Sequence, residues 1–280
     1  MSIKIVTDTS CDLPAELEQE LLAQGTKILP FYFHFGLDQC ADKSISMTEF
    51  LAKTERAWPT TAAPSLGVFL EAFEECLNSN DQVLCLTVTS KHSSTLSVAT
   101  TASREFPPDR IALVDSQSLS LGQGLLVMAA ARAAQAGRTL AEVVEHVRTL
   151  QQRLSVYLML DTVEYLVKGG RASHLVGVLA GLLRLRPILT LRDGELVLLS
   201  RPRGRRAAKE VLLELAHKCM PAEMLAVGHI ACEEEANAFA DELAQTTGFP
   251  RNKVLLSETG LVLAAHGGPG VIGFAAISAG

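Results

Sequence analysis

Gln82-Val83-Leu84-Cys85-Leu86-Thr87-Val88-Thr89-Ser90-Lys91-His92-Ser93-Ser94-Thr95 changes character halfway along. Val83 to Val88 is an uncharged, partly β-branched run with the length of a buried strand. Hydroxyls then gather from Thr89 to Thr95, and Leu96, Ala99 and Ala102 follow at the three-residue steps of a helix. A strand that feeds a helix N-terminus places this loop at the edge where open α/β sheets take ligands. Helix-end amides and the positive end of the helix dipole favour an anion there. The alternative is a Ser/Thr helix cap with no ligand.

Outward from this stretch the pattern alternates. Strands are predicted at 3–7, 27–35, 83–88 and 111–114, with helices at 14–24, 65–78, 94–105, 121–136 and 139–154 between and after them. The last helix opens on the capping-box pattern Thr139-x-x-Glu142. Strands separated by helices imply a parallel sheet. The rhythm restarts with a strand at 156–160, helical patterns to 183, and strands at 188–191 and 195–199 about Arg192-Asp193-Gly194, a hairpin signal. A helix at 207–219, a strand at 225–230, a helix at 233–246 and a strand at 253–257 complete the pattern. The boundary is expected near 151–155, giving domains 1–153 and 154–280.

Bulk properties exclude several classes. The chain has 280 residues, 48% apolar and 20% charged, enough for two domains with a sizeable core. A net charge of −6 argues against general nucleic-acid binding. Six scattered cysteines with no CxxC pair read as reduced structural thiols in a cytoplasmic protein, with no metal site. The N-terminus enters a strand directly, without a secretory pattern. Residues 261–280 lack Asp, Glu, Lys and Arg, but five glycines and a proline make a buried strand–loop–strand the expectation over a membrane span.

The chemistry concentrates in loops. Thr7–Ser10, Thr60–Ser65, Ser90–Thr95 and Asp115–Ser120 follow predicted strands or precede helices, and in a parallel sheet all would lie near one edge. Such an edge is rich in hydroxyl donors and poor in catalytic bases, which suits the binding of one anionic head. No GxxxxGK[ST] occurs, and Gly122-Gln123-Gly124 is too weak to indicate a dinucleotide. His266-Gly267-Gly268-Pro269-Gly270 is like an esterase oxyanion loop, yet no G-x-S-x-G elbow accompanies it. His266 therefore stays open between packing and function, with glycines that let backbone approach a ligand.

Six motifs in order resemble the DegV family, which includes the fatty acid kinase B subunits. Val6-Thr7-Asp8-Thr9-Ser10-Cys11-Asp12-Leu13-Pro14 is similar to VTDSTxDLP, and Thr61-Ala62-Ala63-Pro64-Ser65 to TSxPS. His92-Ser93-Ser94-Thr95-Leu96-Ser97-Val98-Ala99 stands where the family reads LSGTYQSA, with Ser94 replacing a glycine. Asp115-Ser116 with Gly122-Gln123-Gly124 is similar to DS…GxG, and Asp161-Thr162-Val163-Glu164-Tyr165-Leu166-Val167-Lys168-Gly169-Gly170-Arg171 to DTLEYLxKGGR. His266 to Gly273 is similar to HxGPGxxG.

The resemblance implies two α/β domains, the first with a largely parallel sheet and the second mixed, with a ligand tunnel between them. It implies a long-chain fatty acid such as palmitate, no cofactor, and presentation of the carboxylate to a separate fatty acid kinase. Thr61, Ser93 and Ser94 are the expected carboxylate ligands with His266, supported by Thr95, Gly267 and Ser116. No catalytic residue is expected; the rival reading is a small serine hydrolase using Ser93 and His266. Residues 172–183 are nearly all apolar and are expected to wall the tunnel or simply pack in the core. From Arg184 to Lys209 eight basic residues face two acidic ones, a solvated face or a docking surface. Arg171, Arg203, Arg205 and Arg206 are the residues expected to dock the kinase, with brief contact to an anionic membrane as a further role.

Overall fold

The computed structural model describes residues 2–78, 81–171 and 185–280. The expected tunnel-wall segment at 172–183 and Arg184 lie outside the described residues. Strands β1 (Ile3–Asp8), β2 (Lys27–Leu29), β6 (Gln82–Thr87) and β7 (Ile111–Asp115) form a parallel sheet in the order β2-β1-β6-β7. Five of the six residues of β6 are buried, as in an inner strand covered on both faces.

A second sheet of β8 (Leu154–Met159), β9 (Ile188–Arg192), β10 (Glu195–Ser200), β11 (Ala222–His229), β12 (Val254–Glu258) and β13 (Ile272–Ser278) runs β10-β9-β8-β13-β11-β12. It is mixed: β11 and β12 are parallel, whereas β13 is antiparallel to both β8 and β11. Asp193 and Gly194 turn the β9–β10 hairpin with φ of 50° and 81°, the left-handed pair that a two-residue hairpin requires.

Helix α5 (Ser120–Gln135) joins the two sheets. Its Leu125, Leu126 and Ala130 share one core with Ile5, Leu84 and Leu86 of the first sheet and with Ala226, Ala275 and Ile277 of the second. Small residues along α5 allow this approach on both sides, so the domains are packed together rather than tethered. The next helix, α6 (Leu140–Arg153), carries the predicted capping box between Thr139 and Glu142 and runs directly into β8.

Two expectations need correction. Residues 27–35 are not one strand: Pro30, which cannot donate a ladder hydrogen bond, separates β2 from β3 (Tyr32–Phe35). β3 belongs to a small antiparallel sheet with β4 (Asp38–Ala41) and β5 (Thr60–Ala62). The tail is not strand–loop–strand. Residues Leu261–Gly267 form helix α10, and only then does β13 follow. An apolar run without charges carries no period that separates helix from strand. A helix at Met47–Arg56, capped by Ser46, was not anticipated.

Candidate functional site

The small sheet and the hydroxyl loop face α10 across the domain boundary. They enclose a cavity of about 690 Å³ whose walls include Thr61, Ser65, Ser93, Ser94, Arg171 and His266. Behind it lies a narrower apolar pocket of about 90 Å³, walled by Leu121, Val156, Leu158, Leu189, Ile230 and Phe274. Both are lined by Leu119, Leu166, Leu196, Leu263 and His266, so the two adjoin at the histidine, with the hydroxyl-bearing mouth on one side and the apolar pocket on the other.

At the junction, His266 Nε2 and Thr61 Oγ1 are 3.1 Å apart. Burial pushes the His266 imidazole down to about 3, with the positive Arg171 and the nearby His92 acting in the same direction, so the ring is neutral. Its Nδ1 is buried and has no hydrogen-bond partner among the described residues. Ser93 Oγ lies 2.7 Å from Thr95 Oγ1 and accepts the Thr95 N–H at 3.3 Å, which shapes the turn into α4 (Thr95–Ser103). Ser94 precedes that helix with φ of −80°, a conformation open to any residue, and makes no side-chain cap bond. Serine in place of the family's glycine therefore strains nothing.

The predicted site residues are not all brought together. Thr61, Ser93, Ser94, His266 and Arg171 line the mouth, and Gly267 lines the apolar pocket. Thr95 is fully buried behind Ser93. Ser116 lines a separate polar cleft with Asp115, Gln117 and Arg148, and its hydroxyl is tied into its own turn through Ser118. All four loops reach the mouth, through Ser10, Thr61 to Ser65, Ser90 to Ser94 and Leu119, but the Asp115–Ser120 loop sends only apolar Leu119 there and turns Asp115 to Ser118 into the other cleft. Arg206 is exposed and pairs with Glu210, whereas Arg205 is bound by Glu235 and Asp161 at 2.6 and 3.0 Å. Arg203 is exposed beside an isolated bridge to Leu185. Sequence reasoning missed Ser65, Lys91 and His92 at the mouth. His92 lay inside the quoted stretch but carried no spacing signal; its Nε2 accepts the Leu196 N–H across the domains at 3.0 Å.

Two motifs distant in sequence hold this junction. An added Cβ at Gly169 would stand 2.2 Å from His266 Nδ1, and one at Gly268 would stand 2.5 Å from the Tyr165 ring. The Tyr165 ring packs against Trp58 at a tilt of 55°, centroids 4.9 Å apart, and Lys168 lies over the Trp58 ring at 4.7 Å. The short helix α7 (Glu164–Lys168) and the loop after α10 are thus mutually moulded, each supplying a glycine where the other places a ring.

This arrangement suits binding better than catalysis. A serine nucleophile needs a base hydrogen-bonded to it, itself oriented through its other nitrogen. Here Ser93 pairs with Thr95, His266 pairs with Thr61, and His266 Nδ1 abuts a glycine. An imidazole held near 3 is also a weak base at neutral pH. Among the described residues no group of three or more His, Cys, Asp or Glu is placed to hold a metal ion. No helix among them is long and apolar enough to cross a membrane.

The family model described as "Uncharacterised protein, DegV family" matches residues 2–279. The chain belongs to the DegV family. Among DegV relatives, a DegV domain-containing protein of Caldanaerobacter subterraneus subsp. tengcongensis is 31% identical over 274 residues, 97% of each chain. A solved structure described as fatty acid binding of a DegV family protein from Thermus thermophilus is 33% identical, covers 100% of both chains and superposes with a TM-score of 0.90. A Thermotoga maritima protein described as revealing a fatty acid binding function is 26% identical over 100% of both chains, with a TM-score of 0.81. The two-domain DegV architecture, with its parallel first sheet and mixed second sheet, is therefore the fold of this chain.

Proposed function

We propose that this DegV protein is a non-catalytic, cytoplasmic carrier of a long-chain fatty acid. Thr61, Ser93 and Ser94 hold the carboxylate at the mouth, His266 supports them, and the acyl chain runs inward between the domains. The observation that carries this reading is a cavity bordered by Thr61, Ser93, Ser94 and Arg171 that adjoins an apolar pocket at His266. The full-length likeness to a fatty-acid-binding relative supports it. Each charge-assisted hydrogen bond contributes about 1.5–3 kcal/mol net. A sixteen-carbon tail at about 0.8 kcal/mol per buried CH₂ contributes on the order of 11 kcal/mol gross. Apolar burial thus supplies most of the affinity, and the hydroxyls fix which end faces out.

A carboxylate at the mouth is the end accessible to a second protein. The reading extends to its presentation to a separate fatty acid kinase, with Arg171 at the rim and the exposed Arg203 and Arg206 steering an acidic partner, while Arg205 is already held by Glu235 and Asp161. Rim charges act chiefly on association rate. Contact of this basic face with an anionic membrane would place the mouth near its source of lipid.

Native mass spectrometry of protein purified from cells tests the carrier reading: intact fatty acid should be released, with no ester hydrolysis by the same sample. Lipid-free protein that also fails to take up palmitate, or ester turnover abolished by Ser93→Ala and His266→Ala, would overturn it.

A further inference from the structure

His266 reaches the junction from α10, whose first turn has no capping side chain of its own. Its leading amides are held instead by two carboxylates of the first domain. The Gly260 N–H donates to Asp12 Oδ1 at 2.8 Å, and the Leu261 N–H donates to Asp42 Oδ1 at 3.1 Å. Both acids are buried, at 2% and 6% exposure. Asp12 closes the turn after β1 with φ of 49°, and its second oxygen takes the Ser120 hydroxyl at 2.7 Å where α5 begins. Asp42 directly follows β4 and also accepts the Lys43 N–H at 3.0 Å. Three segments of the first domain therefore converge on one short helix of the second.

The fit at this point is close. A Cβ at Gly260 would stand 2.9 Å from Asp12 Oδ1 and 3.2 Å from Asp42 Oδ2. A serine or asparagine at the cap would satisfy the same amides without burying an ionisable group. Burial instead raises both acids, and each lies within the field of the other, with Lys43 opposing and Glu18 paired to Lys43. Two costly groups at one helix end call for a role beyond capping. The five steps from Leu261 to His266 make a lever of about 7.5 Å at 1.5 Å per residue. The His266–Thr61 contact, at 3.1 Å, is near the long end for a hydrogen bond, so a small tilt of the lever breaks it.

We propose that Asp12 and Asp42 are positioning residues for the mouth. Capping α10 from the opposite domain, they fix its place and so set the His266 ring against Thr61. The ligand side of this inference rests on the fatty-acid reading; the geometry of His266 does not.

The test uses full-length Asp12→Ala, Asp42→Ala and Gly260→Ala with two readouts. The first is the nitrogen NMR signal of the His266 imidazole without lipid. The second is the affinity for palmitate against that for methyl palmitate, which lacks the charged head. Each variant should lose the hydrogen-bonded imidazole signal, and the preference for acid over ester should fall about tenfold, the scale of one charge-assisted hydrogen bond. Ester affinity should stay unchanged. Asp12→Asn and Asp42→Asn keep the accepting oxygen and should restore both readouts. Should the alanine variants at 12 and 42 not fold, Gly260→Ala crowds both carboxylates without removing them and decides alone. Folded variants with the wild-type imidazole signal and acid preference would overturn the proposal. So would failure of all the variants to fold, which would make the pair structural only. If wild type binds neither lipid, the fatty-acid reading fails while the imidazole signal still decides the role of the two acids.

Discussion

Replacing Gly169 by alanine probes the contact between the two glycine-rich motifs directly. Gly169 has φ of −69° and ψ of −14°, a conformation that alanine adopts without strain. At an uncrowded site the change would stabilise the fold by about 0.4–1 kcal/mol, through the unfolded chain. Here the new Cβ stands 2.2 Å from His266 Nδ1. Ordinary contact between such atoms is about 3.5–4.0 Å, so the ring must retreat by more than about 1 Å. That motion breaks the Thr61 hydrogen bond at 3.1 Å. Overpacking of this kind costs about 1–3 kcal/mol. The assay is denaturant unfolding of wild type, Gly169→Ala, His266→Ala and the double variant, with palmitate titration of each. In the His266→Ala background the obstructing ring is gone, so Gly169→Ala should be neutral or stabilising. The cycle should show a coupling of about 1–3 kcal/mol. Gly170→Ala is the contrast: its φ is +70° with nothing within 4 Å. Its cost, about 1–2 kcal/mol of left-handed backbone, should not depend on His266. Equal stability of Gly169→Ala and wild type in both backgrounds would refute the contact, and with it this account of how His266 is held.

Thr61→Ala and Ser93→Ala should each weaken palmitate binding about tenfold or more while leaving the melting temperature nearly unchanged, as read by calorimetry. Gly228 lines the apolar pocket, and a Cβ there meets Leu121 and Thr259 at an ordinary 3.4 and 3.5 Å. Gly228→Val should therefore fold, fill the pocket and shift preference towards shorter acids, seen by competition among acids of graded length; an unchanged length profile would remove the acyl chain from this pocket. Burial pushes Asp12 up to about 8, whereas the unfolded chain ionises near 3.8. The native state holds the extra proton between those values, so this group's contribution falls as pH rises through that window, by up to about 1.4 kcal/mol per unit. Asp12→Asn should flatten the decline in unfolding free energy over that window, leaving the parts due to Asp8 and Asp42; an equal slope in wild type and variant would refute the shifted acid.

Much of the framework was legible because it follows local rules. The run at 83–88, the Thr139/Glu142 capping box and the Asp193-Gly194 turn each carry their conformation in a few residues. Residues 27–35 misled because apolar character persists through Pro30, while the decision to change sheets depends on partners distant in sequence. The tail misled because a fully buried helix and a fully buried strand are equally apolar. At the mouth, Thr61, Ser93 and His266 were singled out by residue type and resemblance. Ser116 was singled out as well, yet the chain turns it into another cleft. The roles of Gly169 and Gly268 had no local signal, since each glycine is explained only by a ring that the other domain segment brings to it.

On the proposed reading, the neutrality of His266 decides how the carboxylate is held. A protonated histidine beside the head group would form a buried ion pair, which binds strongly but draws down the charge on the oxygens. Burial, Arg171 and His92 all oppose that proton, so the first contacts are hydroxyl donors and a neutral ring. Hydroxyl donors orient a carboxylate without neutralising it. An acceptor of a phosphoryl group needs that retained charge to attack, and needs one oxygen turned outward. The cavity supplies the second condition by its geometry: Thr61 and His266 stand where it meets the apolar pocket, while Lys91 and Arg171 also border it. A positive field that does not close on the carboxylate attracts an anionic head group from solution and leaves it reactive. The two acids that anchor α10 belong to the same logic, because a donor site built from neutral groups has little Coulomb attraction to correct a misplaced ring. Its discrimination rests on distance, and distance here is set from the opposite domain.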